Sequence, residues 1–545
     1  MDSSEFFYAA NTASQRVLRG LDSIDQHQLR KETLNLFLLV SEIGTPELDK
    51  QDKKYATKVA ILNNICSALI DGGFQSENIK QVGLGLNLLE QYKDDFLSAF
   101  EPADYYYNLG NAIGYKNQLS KLEDNIFSIK EMHAEKTAYW NAYHSKKSSD
   151  YRLLTNLGNA LKKQHRIIES ISIFDKALKI NSLCWEARLA RTTALISLNR
   201  QTKTSSFEML KQIKNGYKCL ISNPELPAFM LNDIQKRYEY YRGIYESKGL
   251  AESESDDEKQ TQKEAEELSE YRRFCLENNL TLSEHSVYCT CSVSKVDDLT
   301  IPSPAGGVGS IAENEFVLNR LKSEFSFARR MFFEYKKTDQ SALKELYMES
   351  NFSELYDGEM LGINIEKIKA SYKQCFSILD KIANAVCEEF DLAPEKVKFI
   401  YFNSFWRLKE KEEQFKRNNF SGLSALYSIA CDINDNKQVK GGLHHLKNQR
   451  NKIEHDFFSI FNDVDDVKKA LYDSPKFKEK IIPLTLEQFE HDTQLMLNLT
   501  RSAIFSYALA VREKSDRLRE FASSIYDDEL NKNPITYFPK KPISF

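Results

Sequence analysis

The sequence predicts an all-α protein in two parts, a helical-repeat scaffold followed by an elaborated four-helix bundle. Three observations predict it. The 545 residues include only 12 Pro and 20 Gly, so few breakers interrupt a chain rich in Leu, Lys, Glu and Ser, whose long unbranched side chains lose little freedom in a helix. The run Asn108-Leu109-Gly110-Asn111-Ala112 returns as Asn156-Leu157-Gly158-Asn159-Ala160, as a repeated unit would. The second half carries apolar stripes at helical spacing, separated by connections of roughly 10–30 residues.

Composition sets the outer limits. A chain this long exceeds one hydrophobic core and suggests two to four domains. Apolar residues make up 41% and charged residues 28%, ordinary for a globular protein. The net charge of −5 gives no global nucleic-acid signature, so any basic surface must be local. Nine cysteines, scattered apart from Cys289 and Cys291, fit a reducing compartment. The N-terminal Met-Asp-Ser-Ser-Glu-Phe-Phe has neither a basic n-region nor an apolar h-region. The apolar runs around Leu36 to Val40 and Ala503 to Val511 are too short to span a bilayer. The expectation is a cytoplasmic protein without a membrane partner.

Residues 1–103 contain helical patterns, such as Gln28 to Glu42 and Lys53 to Ile70, but no chemistry. Residues 104–248 repeat themselves. From Tyr151, large residues fall at the fourth, seventh and eleventh positions (Leu154, Leu157, Leu161) and small ones at the eighth and twentieth (Gly158, Ser170). The small residues let a second helix approach the first. This stretch resembles a tetratricopeptide repeat, continued more weakly through Trp185 to Leu198. Ser182 stands where the repeat carries proline, and the two Gly-containing units lie 48 residues apart, against a usual period of about 34. An insertion or an extra helix pair, about Glu123 to Tyr143, must lie between them. Such repeats offer a concave surface to a protein or ligand partner.

Residues 249–262 read as an exposed linker, because Glu252-Ser-Glu-Ser-Asp-Asp-Glu258 cannot offset its ordering entropy by burial. A helical Gln260 to Asn278 leads into residues 263–545. There Glu313 to Tyr335 and Ile365 to Phe390 are long helical patterns, and a β-branched or aromatic stretch runs from Val397 to Phe405. Ser421 to Ile433 is a shorter helix, Leu443 to Phe461 another, and Leu484 to Lys514 a long last one.

The informative stretch is His444-His-Leu-Lys-Asn-Gln-Arg450-Asn-Lys-Ile-Glu-His455. With 22 Arg and 9 His in the chain, an Arg and a His at this spacing arise about once by chance, so the context has to carry the argument. The stretch follows Gly441-Gly442 and opens the third of four helices. From Asn436 to Ile453 the chain holds Lys437, Lys440, Lys447, Arg450 and Lys452 and no acidic residue, a basic patch suited to phosphate. Landmarks lie on both sides: Tyr271 to Asn278, Ser404-Phe-Trp406, Leu426-Tyr427 with Asp432-Ile433, and Leu499 to Val511. With them, roughly residues 265–520 resemble a HEPN domain of a kind found behind helical repeats.

The resemblance implies a metal-independent endoribonuclease with no cofactor, in which Arg450, Asn451 and His455 are catalytic. Residue chemistry agrees. Cleavage by the 2′-hydroxyl needs a base, an acid and positive charge on the phosphorane. Histidine suits both proton roles, and the arginine fork binds phosphate without losing its charge. One helix supplies one histidine, so the resemblance implies a homodimer whose two motifs flank one cleft. Lys440, Lys447 and Lys452 are RNA-binding candidates, and Asp432 and Tyr427, on the neighbouring helix, are candidates for orienting Arg450 or His455. A toxin or antiviral-defence role, gated by the repeat half, is the corresponding expectation.

Plainer readings stand beside these. Arg450 could pair with Glu454 four residues on, His455 could be a half-buried helix residue, and His444 and His445 solvated helix-start residues. Cys275, His285, Cys289 and Cys291 lack paired Cys-x-x-Cys spacing, so no metal is expected. Pro304 to Gly309 lacks the Gly-Lys-Ser/Thr of a phosphate loop. The alternative function is a non-catalytic adaptor binding a protein partner or nucleotide; a third is a domain that accepts a nucleotidyl group.

Overall fold

The computed structural model describes residues 2–21, 25–145, 150–202, 206–247, 268–290, 292–301, 313–339, 358–395, 399–436, 439–473 and 481–532. The acidic linker, Pro304 to Gly309, Cys291 and Lys437 lie outside the described residues. Twenty α-helices fill the described chain, with one three-stranded and one two-stranded sheet. The all-α expectation holds. No described helix is long and apolar enough to cross a membrane.

Helices α1 (Ser3–Gly20), α2 (Gln26–Ile43), α3 (Tyr55–Gln75), α4 (Ile79–Gln91) and α5 (Lys93–Ala99) enclose a core of their own. It includes Phe6, Leu36, Leu62, Leu89 and Phe96 and reaches Ala112. Antiparallel pairs follow. Helix α6 (Pro102–Leu119) packs on α7 (Ile129–Ser145), and α8 (Tyr151–Lys163) on α9 (Ile167–Ile180). Helices α10 (Trp185–Thr202), α11 (Phe207–Ile221) and α12 (Ala228–Ser247) extend the stack.

The two repeated words occupy equivalent places, the middles of α6 and α8. A Cβ on Gly110 would lie 2.5 Å from the Tyr139 ring, and one on Gly158 2.5 Å from the Phe174 ring. In both pairs the second helix presses an aromatic side chain into the space that glycine leaves. The 48-residue spacing needs no extra pair, because α7 itself is the partner of α6 and the hairpin is longer.

The C-terminal half begins with α13 (Glu270–Glu277), the described part of the expected Gln260 to Asn278 helix. Its bundle consists of α14 (Glu313–Lys337), α15 (Ile363–Phe390), α17 (Ser421–Asp432) and α20 (Leu486–Lys532). Between them lie the short α16 (Glu412–Arg417), α18 (His444–His455) and α19 (Val464–Asp473). Leu379, Ile429, Phe489 and Ile504 are buried at its centre. The landmark segment around Tyr271 clasps the bundle. Arg329 on α14 is 1% exposed, pairs with Asp297, and donates to the Leu280 carbonyl at 2.7 Å. Arg501 on α20 donates to the Thr281 carbonyl at 2.8 Å.

Several boundaries differ from expectation, and the last helix runs on to Lys532 instead of ending at Lys514. The motif helix stops at His455, and the apolar run Phe457–Phe461 is strand β4. It pairs antiparallel with β1 (Glu359–Met360) and parallel with β5 (Ile481–Thr485). A short apolar run fits either state by periodicity alone, and here the strand partners decide. Val397 to Phe405 forms turns where described. The core of the bundle is continuous with α9 to α12, since Ile168, Phe174, Leu195, Met209 and Ile234 share one buried cluster with it.

Candidate active site

Helix α18 is held in place from three sides. The Gly441 amide donates to the Asn434 carbonyl and the Leu443 amide to the Asp432 carbonyl, both at 2.9 Å. Gly441 lies against the Asp432 and Cys431 carbonyls where a Cβ would collide. On the bundle face, the Tyr372 hydroxyl lies 2.7 Å from the Leu446 carbonyl and 2.9 Å from Gln449 Oε1. Gln449 in turn donates to Asp492 Oδ2 on α20 at 2.7 Å. The buried Leu446 and Gln449 thus set the rotation of the helix and decide which residues face outward.

Lys447, Arg450 and Asn451 line a cavity of about 230 Å³ between α18 and α15. Its opposite wall is Asp380 on α15 together with Tyr401, Phe402, Asn403 and Ser404. Arg450 is half-buried, and its Nη1 donates to Asn451 Oδ1 at 3.2 Å. No ion pair joins it to Glu454, which is exposed. Burial raises the Asp380 carboxyl above its ordinary range, and the Phe402 amide and the charges of Arg450 and Lys447 partly offset that. The cavity therefore presents two cationic side chains opposite a carboxylate that burial disfavours as an anion. An incoming phosphate would find bidentate and point-charge donors together.

His455 is placed apart from this cavity. It is the last residue of α18 and is exposed. Lys452 pairs with Asp456 at 2.8 Å. Lys440 ends strand β3 (Val439–Lys440), which pairs with β2 (Asp435–Asn436); its side chain is outside the described residues.

The two supporting candidates are corrected. Asp432 is 2% exposed and turns its carboxylate away from α18, to Lys136 and Arg166 and, at 2.9 Å, to His133 Nε2. These partners belong to α7 and to the residue before α9. The ion pairs outcompete any distant contact with Arg450. Tyr427 rests on the Trp406 ring, with centroids 5.3 Å apart, and bonds Cys431. Burial pushes its hydroxyl up. Neither side chain orients Arg450 or His455.

Asp380, Asn403 and Gln449 were missed in the sequence. Of the landmark Ser404-Phe-Trp406 only Ser404 lines the cavity, beside Tyr401, Phe402 and Asn403 just before it. Asp380 had only its place in the polar face of a long helix to mark it. Among the described residues no group of three or more His, Cys, Asp or Glu side chains is placed to hold a metal ion.

A family model of the LA2681-like HEPN domain matches residues 310–514, the stretch from just before α14 into α20 that contains α18. No curated protein and no solved structure matches the chain. The C-terminal part carries a HEPN domain. The N-terminal helices are consistent with repeats, and no repeat family is identified for them.

Proposed function

We propose that this protein is a metal-independent endoribonuclease whose N-terminal helical half regulates the HEPN domain. One observation carries the reading: Arg450, Asn451 and Lys447 line a single open cavity on the helix that ends in exposed His455. Arginine spent on structure would sit in an internal ion pair, as Arg329 does with Asp297. Arg450 instead is held by its neighbour's amide and opens to solvent.

In this reading Arg450 and Lys447 hold the scissile phosphate, and Asn451 fixes the guanidinium. His455 removes the 2′-hydroxyl proton or protonates the leaving 5′-oxygen. One chain offers one histidine, at the exposed end of α18 outside the cavity, so a homodimer would bring the second, with α18 and its C-terminal end at the contact. The products would be a 2′,3′-cyclic phosphate and a 5′-hydroxyl. Such an activity is harmful when ungated, which suits a toxin or defence effector acting on RNA in the cytoplasm.

The test is incubation of the purified full chain with RNA in EDTA. Cleavage should fall at least about 100-fold in His455→Ala, the scale of a lost proton-transfer group. Intact RNA under all conditions, or cutting unchanged by that substitution, would refute the proposal. A second reading, a non-catalytic adaptor, is favoured by one feature: Phe229 and Tyr240 on α12 are 85% and 64% exposed, as a partner-binding surface would be.

A further inference from the structure

Four of the nine histidines gather at the other end of the motif helix. His445 lies in its first turn next to His444, their rings 6.3 Å apart. His491 comes from α20, and its ring is 5.4 Å from that of His144 on α7. Three of them, His144, His445 and His491, line a cleft of about 650 Å³ between the N-terminal half and the bundle. That volume falls within the roughly 300–1,000 Å³ typical of small-molecule sites.

The cleft has three kinds of wall. At its base, Asp492 is 1% exposed and anchored by Gln449 and by Gln488, whose Nε2 donates to Oδ1 at 2.9 Å. The same Oδ1 lies 3.7 Å from His445 Nε2 and 3.6 Å from His491 Nδ1. Burial would raise this carboxyl, but the bonds from His445, His491 and Gln449 prevail and hold it well below the usual carboxylate range. The anion therefore steadies two imidazoles that are themselves 42% and 52% exposed. On the scaffold side, the Trp140 and His144 rings lie 4.9 Å apart, tilted by 57° to each other, and form an aromatic wall. The indole N–H of Trp140 is buried and has no hydrogen-bond partner. Asn141 and Glu487 add polar groups at the rim.

We propose that this cleft is a second binding site, for the phosphate of a nucleoside phosphate. When doubly protonated, His445 and His491 keep one N–H on Asp492 and donate the other to phosphate oxygens, the base stacks on the Trp140 ring, and Asn141 with Glu487 accepts the ribose hydroxyls. The phosphate belongs either to a free mononucleotide or to one nucleotide of an RNA strand. Either ligand touches α7, α18 and α20 together, so it bridges the scaffold and the motif helix. The site does not depend on RNA cleavage at Arg450.

Calorimetric titration of the full-length protein tests this, with adenosine 5′-monophosphate as one probe and an uncleavable 2′-O-methyl RNA pentamer as the other. The expected result is binding of at least one probe, competed by inorganic phosphate, with Kd raised tenfold or more in both His445→Gln and His491→Gln. Thermal unfolding of each variant, unchanged from wild type, shows that the fold is kept. Binding of the mononucleotide identifies a free nucleotide as the source; binding of the pentamer alone identifies RNA. Absence of binding by both probes, or a rise below tenfold in either folded variant, overturns the proposal.

Discussion

Asp432, the last residue of α17, is 2% exposed and lies where that helix meets α7. Its carboxylate is shared by Lys136, Arg166 and His133, all buried. Removing it leaves the Arg166 guanidinium buried with only Glu169, 2.5 Å away, as counter-charge. Breaking a buried pair in this way costs about 3–5 kcal/mol, so Asp432→Ala should lower the free energy of urea unfolding by that order. A loss under about 1 kcal/mol would show that the network is not structural. At the proposed active site, Arg450→Lys keeps the charge but not the planar fork; RNA cleavage should fall steeply while the melting temperature stays put. Arg450, Asn451 and Lys447 were legible because they are near in sequence and their spacing survives folding. The partners of Asp432 were not, since Arg166 and His133 lie 266 and 299 residues away, and no local pattern encodes such a pairing.

Helix α7 carries two histidines whose titration reports on its docking. Burial, then the charges of Lys136 and Arg166, hold His133 well below the ordinary histidine value. Burial, then the neighbouring His491, brings His144 down to about 4. In the unfolded chain both take up a proton near about pH 6.5. Between that pH and the lower folded values the unfolded state binds more protons. Their contribution to stability is therefore complete above about 6.5 and is lost as the pH falls through the folded values. Acidification from pH 7 to 5 should lower the thermal midpoint and reduce the amide protection factors of α7 first; protection factors unchanged between the two pH values would contradict this. A second prediction concerns α8. Gly158→Leu drives a side chain into the Phe174 ring and should cost about 1–3 kcal/mol or more through overpacking, read by urea denaturation. The bundle helices α14, α15, α17 and α20 were legible from apolar spacing, whereas the short α16 and α19 were not. The end of α18 was not, because Phe457–Phe461 becomes a strand only through β1 and β5, which lie outside its own sequence window.

The molecule as a whole divides less sharply than its sequence suggests. The first five helices close a core that ends at Ala112, whereas the main core runs from Ile126 through the repeats into α20. Deleting residues 1–100 should leave a folded, cooperatively melting protein. Deleting residues 1–248 should expose the apolar surface of α17 and α20 and give an aggregating product, measured by circular dichroism and light scattering. A monodisperse, fully helical fragment would show that the continuity is incidental. The acidic segment marks a change of composition, but composition does not show that helices on either side of it share one interior. The two faces of Asp432 connect this scale to the smallest. Its carboxylate belongs to the N-terminal half, while its carbonyl receives the Leu443 amide that starts α18. At this point the scaffold and the motif helix are separated by the width of one residue, so a tilt of α7 would reach α18 through a short, rigid link, with little slack to absorb it.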